Sequence, residues 1–334
     1  MSRWARLGLA CLALALAGPL AADEDERPEL GMSGVPIAGF DQKNGWVFGA
    51  AGFVYSDRAP GINAGLFAVS NFDAFHSATF NLDERSLGPW SYSLHLLAEH
   101  AFDRYYGEGD LTSARSSIYI RQDRLDIKPT LFYSPVAHLR LGVTADFRGR
   151  HEPDSRWFPD EATTAWGLRG EWEGRDKLIN TRRGFYALVG VSRDLAGLGF
   201  TQWDADLRRF WRLRRDLTLG ERVVVGFSDG SPSYLFRYRL GGLDLLRGYT
   251  DNRFRGGDML VTQSELRWIL WKWLSVNASV DGGDIRDDAF HQWKASAQVG
   301  LRIGLPPGWG QKLRLDYGVG ADQSTLQFQF GEIF

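Results

Sequence analysis

The sequence predicts an all-β chain, a transmembrane antiparallel β-barrel of about 16 strands with a long loop folded into its lumen. Three observations point there. Apolar and polar residues alternate with period two along most of the chain, the first residues are laid out as a secretory signal, and an arginine–glycine–aromatic loop interrupts the strands between Asp229 and Gly257.

From Lys294 to Leu305 the side chains Ala295, Ala297, Val299, Leu301, Ile303 and Leu305 share one face. Lys294, Ser296, Gln298 and Arg302 share the other with Gly300 and Gly304. Residues 139–148 and 312–319 alternate in the same way, with Arg140, Asp146, Arg148, Arg314 and Asp316 on their polar faces. A β-sandwich would also bury one face, but repeated Arg and Asp pointing inward from strands of about ten residues fit a water-filled barrel. Trp90, Tyr92, Trp271, Trp273 and Trp309 fall near strand ends, where amphipathic rings form girdles at the two water interfaces. A transmembrane helix is excluded, because no segment after the first residues is a continuous apolar run of about 18.

In chain order, residues 1–22 read as a signal peptide: basic Arg3 and Arg6, apolar Leu7 to Ala17, and a cut near Ala22 before Asp23-Glu-Asp-Glu26. The one cysteine, Cys11, leaves with the signal, which excludes thiol chemistry in the mature chain, and the loss of Arg3 and Arg6 takes the formal charge from −2 to −4. That balance predicts no attraction to nucleic acid. Residues 23–43 form a short periplasmic N-terminal segment, below the roughly 50 residues a domain needs. Residues 44–334 form the barrel. Strands are expected near 44–56, 60–70, 74–84, 89–104, 113–123, 125–134, 137–150, 161–173, 183–194, 198–213, 216–228, 258–270, 272–285, 291–304, 311–322 and 324–334.

The loop 229–257 contains Leu240-Gly-Gly-Leu-Asp-Leu-Leu-Arg-Gly-Tyr249 and Arg253-Phe-Arg-Gly256, so Arg247, Arg253 and Arg255 lie among six glycines. Buried guanidinium groups need acidic partners. Glu265 and Asp281, downstream, both fall on polar strand faces; Val261, Ile269 and Trp271 share the Glu265 side.

From about Asn180 onward the chain resembles the superfamily of outer-membrane assembly and translocation barrels that includes the BamA insertase, TamA, two-partner-secretion transporters and bacterial surface antigens. The elements that carry the resemblance occur in order: Thr181-Arg-Arg-Gly184, Asp204-Ala-Asp-Leu-Arg-Arg209, Leu246-Arg-Gly-Tyr249, Glu265 and Val280-Asp-Gly-Gly-Asp284. The resemblance implies that Leu246, Arg247, Gly248 and Tyr249 form the sixth extracellular loop's inward motif, with Glu265 and Asp281 as the barrel-wall partners of Arg247. It also implies that the C-terminal strand, with Leu326, Phe328, Phe330 and the terminal Phe334 on one face, is an assembly signal. Gly331 either lets that strand kink away from the first strand, weakening the seam, or merely eases packing. Members with periplasmic domains dock their clients there. The short segment before residue 44 predicts a member without them.

The functional expectation is a bacterial outer-membrane barrel that assists insertion or translocation of proteins or lipids; the alternative is a passive structural or narrow-pore barrel. Expected partners are outer-membrane lipid, client outer-membrane or secreted proteins, and the barrel-assembly machinery during the chain's own insertion. No cofactor, metal or enzymatic activity is expected. The six histidines match no nucleophile motif or metal-ligand spacing, and Asp281-Gly-Gly-Asp284 reads as a strand-terminal turn rather than a calcium loop.

Overall fold

The computed structural model describes residues 31–330 apart from 42–44, 57–60, 108–116, 153–159, 179, 198, 231, 243, 288–289, 291 and 306–311. The expected signal segment, His291, Trp309, Gly331 and Phe334 therefore lie outside the described residues, as do the side chains of Phe328 and Phe330. Eighteen strands are described. The first eleven are β1 (Gly31–Asp41), β2 (Gly45–Tyr55), β3 (Ile62–Ser70), β4 (His76–Leu87), β5 (Trp90–Tyr105), β6 (Ile118–Val136), β7 (Leu139–His151), β8 (Glu161–Glu173), β9 (Gly184–Asp194), β10 (Thr201–Arg212) and β11 (Leu217–Asp229). The loop then contributes a short pair, β12 (Tyr238–Leu240) and β13 (Phe254–Gly256). The wall resumes with β14 (Asp258–Trp271), β15 (Leu274–Arg286), β16 (Lys294–Gly304), β17 (Lys312–Gly320) and β18 (Ser324–Phe330).

Sixteen of these form one sheet in which each strand pairs antiparallel with its neighbours in the chain, and β12–β13 stand apart from it. The count equals the expectation only because two errors cancel. The sheet begins at Gly31, where a periplasmic segment and a first strand near residue 44 were expected. Small residues and Pro36 blur the alternation in β1, and its Val35 and Ile37 point to the side that is polar elsewhere. Conversely, the strands expected at 113–123 and 125–134 are one strand, β6, of 19 residues. Residue 124, the expected break between those two strands, lies in continuous strand, with Gln122 and Arg124 facing inward and Asp123 outward. At about 3.3 Å per residue β6 is much taller than the apolar band of an outer-membrane barrel, so it projects beyond the membrane.

The outer face is apolar and exposed, with Leu141, Val143, Leu168, Val189, Val280 and Val299 each half exposed or more. Trp90, Tyr133, Trp172, Trp211, Trp271 and Trp273 ring the end opposite the long loop, and Trp46, Trp203 and Trp293 mark the loop end. Ring stacking of Trp271 on Trp273 and the close pair Trp90–Tyr133 rigidify that girdle. Trp271 escapes the inward face assigned from its spacing because the β14–β15 register slips between Ile269 and Trp271.

The inner face is a lattice of ion pairs. Across the end opposite the long loop, Arg85 of β4 reaches Glu171 (3.1 Å) and Glu173 (3.3 Å) of β8. Arg140 of β7 joins Asp83 (2.9 Å) to Glu171 (2.5 Å). Such a chord between strands four apart requires a strongly curled sheet. One sector breaks the rule: Val35, Ile37 and Ala51 are buried with Leu305 and packed against Phe53, Phe67, Val69 and Leu313. The apolar inner side of β1–β3 thus meets side chains at the far end of the sheet, bringing its two ends together.

Candidate functional site

The loop between β11 and β14 folds into the lumen because its apolar residues find partners there. Leu240, Leu246, Tyr249 and Phe254 from the loop bury against Met259 and Val261 of β14 and Ile285 of β15. Val261, out of place on a polar face in the sequence, is the floor of this cluster. Burying a side chain of this size contributes roughly 1.5–3 kcal/mol.

Arg247 sits beneath the cluster with no exposed surface. Its Nε donates to Asp281 Oδ2 at 2.7 Å and its Nη2 to Asp281 Oδ1 at 2.5 Å, while Nη1 donates to Glu265 Oε2 at 2.7 Å. The Arg247 backbone N–H also donates to Asp281 Oδ2 at 3.0 Å. Strand register explains why one guanidinium serves both acids. Glu265 opposes Ser279 and Gln263 opposes Asp281, so the two carboxylates lie on a diagonal of adjacent strands facing the same way. Glu265 in turn accepts from Arg267 (3.0 Å) and Asn277 (3.1 Å). Farther along, Asp316 takes Arg302 (2.5 Å) and Arg314 (2.7 Å). The carboxylates beside it hold the Arg247 guanidinium protonated, well above its ordinary range, against the opposing effect of burial.

Gly248 and Tyr249 lock the tip to the wall. Gly248 has φ +100°, and a Cβ there would lie 2.8 Å from the Val319 carbonyl carbon. A Cβ on Gly318 would lie 2.5 Å from the Gly248 nitrogen, so loop and strand touch backbone to backbone. The Tyr249 ring covers Gly320, and its hydroxyl accepts the Ala321 N–H at 3.0 Å. The loop also reaches the opposite wall. Asn252 and Arg255 donate to Asp103 of β5 at 3.0 and 3.2 Å, and Tyr106 and Thr250 share a 2.9 Å hydroxyl contact. Arg253 contacts Asp322 at 3.3 Å. Bridging β5 to the β14–β18 side, the loop is a bar across the lumen.

The structure therefore brings together Leu246, Arg247, Gly248, Tyr249, Glu265 and Asp281. Sequence reading missed Asp103, Gly318 and Gly320. The signal for the glycines was present, since Gly318 and Gly320 leave the inner face of β17 without side chains at its loop end, but nothing local marks Asp103. Asp281-Gly-Gly-Asp284 runs inside β15 rather than ending it as a turn: Gly282 makes room for the Trp293 ring and Asp284 holds Lys294 at 3.2 Å. Among the histidines, His76 Nδ1 meets Ser70 Oγ at 2.8 Å, a pairing not read from sequence. Its other ring nitrogen rests on the Asp73 backbone carbonyl, which gives no carboxylate to orient the ring.

Asp251, in the loop, is raised to about 6 by burial first and then by Asp244 and Asp103. The folded loop binds this proton more tightly than an unfolded chain does. Loop stability is therefore expected to fall as pH rises from about 4 to about 6 and to level off above. Asp251→Asn should flatten that slope when loop proteolysis is followed from pH 4 to 7.

Residues 112–334 match the family model described as the Omp85 superfamily domain. Among solved structures, CdiB from Escherichia coli superposes with TM-score 0.63 at 12% identity, covering 91% of this chain and 62% of that one. BamA from Haemophilus ducreyi lacking POTRA domains 1–3 gives 0.59 at 13% identity, covering 97% and 74%. CdiB from Acinetobacter baumannii gives 0.60 at 11%, covering 97% and 65%. No curated protein matches. With the family model spanning most of the chain, an antiparallel barrel around it and a loop clamped inside, the chain belongs to the Omp85 superfamily of outer-membrane barrels.

Proposed function

We propose that this barrel assists the insertion or translocation of proteins at the outer membrane, with the in-folded loop as the element that sets the shape of lumen and wall. The observation that carries the reading is the triple clamp of Arg247 on Asp281 and Glu265, which ties the loop tip to β14 and β15 at full burial. The bar formed by Asp103, Asn252 and Arg255 narrows the lumen, which fits a narrow pore as the second reading. Membership of the Omp85 superfamily supports insertion or translocation as the class of activity, and the CdiB and BamA structures share the fold. Client proteins, outer-membrane lipid and the assembly machinery that inserts the chain are the proposed partners.

Reconstitution tests it. Proteoliposomes holding the barrel should speed the insertion of a urea-unfolded outer-membrane protein over empty liposomes, and Arg247→Lys should lower the gain. Steady, solute-selective conductance in planar bilayers without any such gain would instead establish the pore.

A further inference from the structure

A chamber of about 700 Å³ lies between the loop and the wall strands β5–β10, and its lining is rich in arginine. Arg239 enters it from β12 of the loop, directly opposite Arg255 of β13 in the strand pair. Like charges placed across a ladder repel. Arg255 is compensated by Asp103 at 3.2 Å and the Tyr234 carbonyl at 3.0 Å, with its guanidinium 4.1 Å from the Tyr234 ring centre. Arg239 donates to no carboxylate or carbonyl among the described residues.

Arg124 of β6 lines the same chamber in a similar condition. Its carboxylate neighbours, Glu99 at 3.6 Å and Asp126 at 3.8 Å, are beyond hydrogen-bond reach, and its Nε is buried without an acceptor. Asp126 is already engaged by both terminal nitrogens of Arg150, at 2.5 and 3.1 Å. Of the other acids lining the chamber, Asp146 holds Arg148 and Lys128, at 2.6 and 3.3 Å. Asp204, Asp244 and Asp251 complete the acidic lining. Burial, followed by the nearby Arg124, Arg255 and Arg150, depresses Arg239 to about 9, far below an ordinary arginine. A guanidinium among guanidiniums is costly in a partly dry site unless an anion joins it.

We propose that this chamber binds a phosphate-bearing anion, seated between Arg239 of the loop and Arg124 of the wall with Arg150 beside it. Forked guanidinium donors match phosphate oxygens, and a site with several clustered arginines favours a multivalent phosphate over a single carboxylate. Because Arg239 belongs to the loop and Arg124 to β6, the anion ties the loop to a part of the wall that the Arg247 clamp does not reach.

The purified barrel in neutral detergent would be titrated at pH 7.5 and constant ionic strength with inorganic pyrophosphate, and separately with micelles doped with phosphatidic acid. The heat-unfolding midpoint is read against sodium chloride. Saturation with pyrophosphate is expected to raise it by roughly 5 °C. That rise should vanish in Arg239→Gln and in Arg124→Gln, and persist in Arg237→Gln, whose residue lines the chamber but is engaged by Asp287 at 2.9 Å. A rise with doped micelles alone, still abolished by Arg239→Gln, assigns the phosphate to a lipid headgroup. No rise with either probe overturns the site, and so does an equal loss in Arg237→Gln, which would reveal only a diffuse positive field.

Discussion

Arg247→Ala is expected to destabilise the barrel by roughly 3–5 kcal/mol, because it strips the buried Asp281 of its guanidinium partner and removes one of the arginines that hold Glu265. Asp281 loses both side-chain donors from Arg247, and Glu265 keeps only Arg267, Asn277 and the distant Arg302. The backbone N–H of residue 247 still points at Asp281, so the loop tip loses its cation and keeps one backbone hydrogen bond to that carboxylate. Arg247→Lys restores the charge but not the fork, and should recover part of the loss, since an ammonium cannot serve both Asp281 oxygens and Glu265 in the same plane. Heat-modifiable migration of outer-membrane fractions is the measurement. A wild-type midpoint in Arg247→Ala would mean that the pairs contribute no net stability. Asp281→Ala should be nearly as damaging, because it leaves Nε and Nη2 of the buried Arg247 without their acceptors.

Gly318→Ala tests the other half of the attachment. A methyl at that position would lie 2.5 Å from the Gly248 nitrogen and 2.8 Å from its Cα, both backbone atoms that cannot rotate away. Either the loop tip rises or β17 bends, at a cost of about 1–3 kcal/mol. The wall ladders are untouched, so the barrel should still fold and migrate as a folded band, now with a displaced loop. Single-channel recording is then expected to show larger and more frequent openings than the wild type. Gly149→Ala is the matched control, because a methyl there meets nothing within 4 Å. Equal conductance in the two variants would show that the tip contact does not hold the loop in place.

The barrel was legible in the sequence wherever the two faces differ in polarity. From β7 onward, lipid on one side and ion pairs on the other keep the contrast strong, and the expected strands fall within a few residues of those formed. It failed at β1, whose inner residues Val35 and Ile37 pack against apolar side chains from distant strands, a demand no local window contains. It failed again at β6, where charged residues in the middle of a strand imitate a break because the strand outgrows the membrane. In the candidate site, the need of buried guanidinium groups for acids and the polar faces of Glu265 and Asp281 were readable from the residues, but their assignment to Arg247 came from the family resemblance. Asp103 was not readable, since it lies 149 positions from Asn252 and only the curl of the sheet makes them neighbours.

The apolar sector at the meeting of the sheet's two ends has a thermal consequence. A ladder of N–H···O=C bonds can shift only in whole two-residue steps, whereas contact among Val35, Ile37, Ala51, Leu305 and Leu313 has no register and tolerates small slides. Attraction of this kind also fades on cooling, while the charged lattice elsewhere in the wall does not share that dependence. Cold should therefore loosen this barrel first at one place, where its beginning rests on its end.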